Sequence, residues 1–187
     1  LTPRHAVTLA VATLLLSACA GAGYYWQAVN GQLELVGKRQ PIAQLLQDPA
    51  TGAELREQLK LTLLLRDFAT RELNLPDNDS YRSYADLQRP FAVWNVFAAP
   101  EFSVEARQWC FAFAGCVNYR GYFSKDGAQA FASELKAESQ DVHVAGVAAY
   151  STLGWFDDPV LNTFIQRPSA ELAGLIFHEL AHQKVYV

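Results

Sequence analysis

Near the C-terminal end of this 187-residue chain stands His178-Glu179-Leu180-Ala181-His182, two imidazoles four positions apart with a carboxylate between them. On an α-helix, residues four apart share a face, with Cβ atoms ~6 Å apart. Both rings can therefore reach one Zn²⁺ at ~2.0–2.1 Å. Glu179 is rotated ~100° from His178 and ends beside the position that such an ion leaves open. It can take a proton from a water that the ion acidifies and pass it to a leaving amine. Residue types and order point to metal-assisted hydrolysis of a peptide bond, with His178 and His182 as zinc ligands and Glu179 as general base. The bland alternative is a helix that merely turns these side chains to solvent. Phe177, Leu180 and Ala181 argue against it, because they make the segment apolar, continuous and expected to be buried.

A catalytic zinc usually has three protein ligands, and the motif supplies two. His143 is expected to be a plain strand residue. Asp157 and Asp158 precede Pro159 and read as turn formers before they read as ligands. Arg120 and Tyr122 can orient a substrate carboxylate or carbonyl, but packing is the stronger expectation for both. The chain ends at Val187, five residues past His182. The motif resembles that of zincins, which take the third ligand, a Glu, from a helix downstream. The resemblance implies that this ligand is missing here, so the chain is expected to be truncated and its own zinc binding and turnover weak.

The N-terminus carries a second signal. Arg4 and His5 precede an apolar run, Ala6 to Leu16, of 11 residues, too short for a membrane-spanning helix, which needs ~20. A basic start, a short apolar run and small residues make a signal peptide over 1–18. Leu16-Ser17-Ala18-Cys19 has the form of a lipobox, so Cys19 is expected to be lipidated and to anchor the chain in a membrane. An ordinary cleaved leader with a chance cysteine, or a buried helix, is the alternative. Cys110 and Cys116 then remain as an even pair in an exported protein, and a disulfide is expected over two free thiols. A formal charge of −4 without a basic stripe excludes nucleic acid as an expected partner.

The elements that must position the motif follow from periodicity. Ala20 to Gly23 is a short tether, and Tyr24, Tyr25 and Trp26 are the first expected docking residues. Pro41 to Gln47 reads as a short helix. Glu54 to Leu73 reads as an amphipathic one, with Leu55, Leu59, Thr62, Leu63, Phe68 and Leu73 inward. Leu75 to Ser80 is turn chemistry and is expected to mark the main internal boundary. Strands are expected over Phe91 to Ala98, Trp109 to Phe113, Val117 to Phe123 and Val142 to Tyr150. Ser124 caps a helix running to about Ala137, and Ser169 caps the last helix, with Glu171 favourable in its first turn. The fold class expected is α+β: N-terminal helices, a small mixed sheet and a C-terminal zinc-binding helix, one domain over 19–187.

The lipobox, Gly115 to Phe123, Tyr150 to Pro159 and His178 to Gln183 together resemble the Gram-negative putative aminopeptidase family, over nearly the whole chain. The resemblance implies a zincin-like fold, a Zn²⁺ cofactor, a peptide substrate, His178 and His182 as ligands and Glu179 as base. It also implies a periplasm-facing envelope lipoprotein. Ala20 after the cysteine tilts the expectation towards the outer membrane. Metallo-endopeptidase action is an alternative that the same site supports. A non-catalytic lipoprotein that uses the fold for binding is another.

Overall fold

A computed structural model of the chain describes residues 23–111, 115–152 and 154–185. The expected leader, Cys19 and the tether through Ala22 lie outside the described residues. The chain divides into two compact units, 1–34 and 35–187. Residues 23–37 form helix α1. Tyr24 to Trp26 open this helix, and Tyr25 and Trp26 are exposed on it.

Within the second unit, α2 (Ile42–Gln47) leads to α3 (Ala53–Arg71). The buried positions of α3 are Leu59, Thr62, Arg66 and Ala69, spaced by three and four as one helical face requires. Phe68 and Leu73, expected inward, are exposed. An arginine takes the inner face because Arg66 finds a full set of acceptors there. Glu54 in the first turn and Arg71 in the last complement the helix dipole.

Strand β1 (Gln40–Pro41) pairs antiparallel with β2 (Ser83–Ala85), and β2 pairs parallel with β8 (Val160–Leu161). These short pieces lacked a readable period, and only the fold brings them together. A second sheet has the order β6-β3-β7, formed by β6 (Arg120–Tyr122), β3 (Val93–Pro100) and β7 (Gln140–Val147), all antiparallel. Helix α4 (Lys125–Ala137) packs against this sheet, and Ser124 caps it by accepting from Gly127 N at 3.0 Å. Gly146 lets β7 lie against the Phe91 ring, where any Cβ would come within 2.3 Å of it.

The expected strand over 117–123 divides in two. β5 (Gly115–Val117) pairs with β4 (Trp109–Phe111) as a separate ribbon, and β6 joins the larger sheet. Cys110 and Cys116 are cross-strand partners on that ribbon and are joined by a disulfide.

Helix α5 (Ser169–His182) closes the fold. Pro168, not Ser169, takes the N-cap position, and no side chain caps this end. Leu172, Ile176 and Leu180 recur every four residues and are fully buried in the core with Leu35, Ile42, Leu59 and Val160. Each contributes about 1.5–3 kcal/mol by burial. The turn at 75–80 separates α3 from the strands that follow and is fastened to α3 and to residues just past α5.

Candidate metal centre

At 100° per residue, the buried seam of α5 leaves His178 and His182 on the opposite face, with Glu179 between the two faces. His178 is exposed, while Glu179 and His182 are half-buried. The expected burial of the motif is thus corrected, because only its leucine faces the core. The two rings nevertheless converge. Their Nε2 atoms lie 2.9 Å apart, with the rings perpendicular and their centroids 4.4 Å apart. A tetrahedral ion holding two nitrogens at ~2.0–2.1 Å would separate them by ~3.3 Å, which a small ring rotation supplies. In donor type, spacing and convergence the pair fits Zn²⁺. Among the described residues, no group of three or more His, Cys, Asp or Glu is placed to hold a metal.

The Glu179 side of the helix faces a polar enclave that sequence reading missed. Asp158, read as a turn former, is almost fully buried. Its carboxylate accepts from Thr152 N at 2.8 Å, Thr152 Oγ1 at 2.9 Å and Ser151 Oγ at 3.2 Å. Burial pushes this carboxyl above the ordinary aspartate range; the Thr152 and Ser151 bonds oppose the rise, and the Glu179 charge adds to it. Tyr81 N donates to Asp158 O at 2.7 Å, and Tyr81 holds the left-handed φ of 62° that non-glycine residues rarely adopt. Burial, then the charges of Asp158 and Glu179, push its phenol well above its usual range, against a hydrogen bond with Ser151. The phenol therefore stays neutral beside two carboxyl groups.

The end of α5 is clamped. Arg66, fully buried, donates to Ser80 O at 3.0 Å and Asn78 O at 3.0 Å, to Pro76 O, and to Thr70 Oγ1 at 2.6 Å. The turn so shaped reaches Gln183, the residue after His182. Asn78 Nδ2 donates to Gln183 Oε1 at 2.7 Å, and Gln183 Nε2 donates to Ser80 Oγ at 3.2 Å. Gly154 lies against the same side chain, its missing Cβ position being 3.3 Å from Gln183 Cγ. A polar turn, an arginine in the apolar stretch of an amphipathic helix and a glutamine after the motif were the only traces of this clamp in the sequence.

The remaining nominees lie elsewhere. His143 pairs in register with Phe97 on β3, its ring 6.4 Å from that phenyl, as a strand residue. Arg120 lies over the Phe131 and Tyr122 rings at 4.5 and 5.7 Å, in the packing of β6 on α4. Asp157 is exposed, and its carbonyl accepts from Arg39 NH1 at 2.8 Å.

A family model described as "Putative aminopeptidase" matches residues 23–187. No curated protein and no solved structure matches the chain.

Proposed function

The chain belongs to the putative aminopeptidase family, and we propose that it is a zinc-dependent aminopeptidase of the bacterial envelope. The observation that carries the zinc reading is the 2.9 Å approach of His178 Nε2 and His182 Nε2, with Glu179 one residue along the helix. In this reading the two imidazoles hold the ion, which when bound supplies Lewis-acid polarisation of water and carbonyl. Glu179 takes the proton of the attacking water and delivers it to the departing amine. β7 is at an edge of its sheet, and its outer side can pair with an extended substrate backbone.

The envelope reading is supported by the leader pattern and by Cys19 as lipid acceptor. Lack of a third metal-holding side chain among the described residues favours a second reading, a lipoprotein that binds peptides without cleaving them. Metal content and hydrolysis of amino-acid amide reporters, measured together on the full-length protein, decide between the two. Zinc at one equivalent with turnover is the expected result. Blocked-amine substrates separate the activities: cleavage of N-acetylated peptides at equal rate means an endopeptidase.

A further inference from the structure

The loop after β7 meets α5 on the side of the proposed base. Gly154 touches Gln183, and Gln183 follows Glu179 by four residues, so both lie on one helical strip. Asp158, at the base of the same loop, also feels the charge of Glu179, so the loop lies along the side of α5 where a substrate at the proposed site would be seated. The tip of the loop carries Trp155 and Phe156, 75% and 54% exposed.

Two adjacent aromatic rings in water forgo about 25 cal/mol for every Å² left unburied. The loop nevertheless holds them firmly. Phe156 N donates to Thr152 Oγ1 at 3.0 Å, and Trp155 N donates to Thr152 O at 3.1 Å. Asp158 ties both ends of the turn through Thr152 and Ser151, and Arg39 grips the Asp157 carbonyl. Gly154, at φ +86°, supplies the left-handed residue the turn needs, and a side chain there would press on Gln183. Exposed aromatics on a hydrogen-bonded turn whose Gly154 lies beside Gln183, the residue after a proposed metal ligand, have the character of a binding surface.

We propose that Trp155 and Phe156 form the apolar wall of a substrate subsite that selects peptides with a large aliphatic or aromatic side chain beside the cleaved bond. This rests on the peptide-substrate reading above. Flat rings offer area and little entropy loss to such a side chain, and they offer nothing to a charged one.

The test uses the full-length protein, Trp155→Ala, Phe156→Ala and the conservative Trp155→Phe. Leucine, phenylalanine, alanine and lysine amide reporters are compared by kcat/KM. Each alanine variant should lose about 10–100-fold on the leucine and phenylalanine reporters, mainly through KM. The alanine reporter should change by less than about threefold, and Trp155→Phe should restore most of the loss. Independently of turnover, leucine amide should alter Trp155 emission, read as the difference between the parent and Trp155→Phe. Turnover with unaltered selectivity overturns the subsite alone. No turnover, with the emission change retained, overturns the hydrolase reading and leaves the subsite as a binding one. Neither turnover nor an emission change overturns both. An emission change with phosphatidylethanolamine–phosphatidylglycerol vesicles and none with leucine amide also overturns the subsite, making the tip a lipid contact.

Discussion

His178 and His182 each present a ring nitrogen to the same point, and without an ion only one of them can donate to the other. Removing one ring leaves a single imidazole that holds no ion in fixed geometry. In the full-length protein we expect His178→Ala to lose both zinc and turnover. Glu179 is no ligand in this arrangement, so Glu179→Gln should keep the metal and lose 10²–10⁴-fold in rate, the usual contribution of a general base. Zinc content and turnover on the same preparations check both, and near-normal activity of Glu179→Gln would refute the mechanism. Asp158 makes a separate prediction. Its carboxyl is raised by burial, with Glu179 and the neutral Tyr81 beside it and Ser151 and Thr152 donating to it. The folded protein therefore holds this proton more tightly than the unfolded chain. Its contribution is fully present below the ordinary aspartate pKa and is lost as pH rises through the raised folded value. Relative to the parent, Asp158→Asn should remove that fall. Melting curves taken across the acidic range on both proteins measure the difference, and parallel curves would contradict it.

Among the elements, α3 reaches α5 through the 76–80 turn. Arg66 satisfies three carbonyls of that turn from a fully buried position, and each would be left wanting if the guanidinium were removed, at about 1–3 kcal/mol apiece. Arg66→Met should destabilise by roughly 3 kcal/mol or more, and Arg66→Lys should recover little, since one ammonium cannot span the fork. Gln183→Ala should cost only about 1 kcal/mol, a lost pair of hydrogen bonds at a half-buried site. Denaturant titrations rank the three, and a mild Arg66→Met would show that the turn holds itself. The sequence made the helices legible here through spacing alone: α3, α4 and α5 lie within two residues of their expected starts. It concealed the joint between them. Arg66 takes a place on the inner face of α3 because its acceptors come from ten to fourteen residues away, and no local pattern carries that information.

Over the whole molecule, the α+β class and the motif helix were readable because amphipathic helices and the longer strands carry their own periods. β1, β2 and β8 were not, since strands of two or three residues exist only through their partners. The same contrast separates the β4–β5 ribbon from the rest of the fold. Among the described residues its strands pair with each other, and side chains tie it to α4 and its C-terminal end, Trp109 with Phe131 and Arg107 with Glu138 at 3.0 Å. Cys110 and Cys116 are both exposed on it, six residues apart. Closing so short a loop restrains the unfolded chain by only about 2 kcal/mol, and the restraint falls on a ribbon that forms a sheet of its own. Replacing both cysteines by alanine should therefore speed hydrogen exchange at 109–111 and 115–117 while leaving β3, α4 and α5 protected. Zinc binding, if the site is built as proposed on α5 and its clamp, should be unchanged. Lost protection across α5 in the double variant would instead mean that the ribbon supports the metal helix, and the two parts of the fold would have to be treated as one cooperative unit.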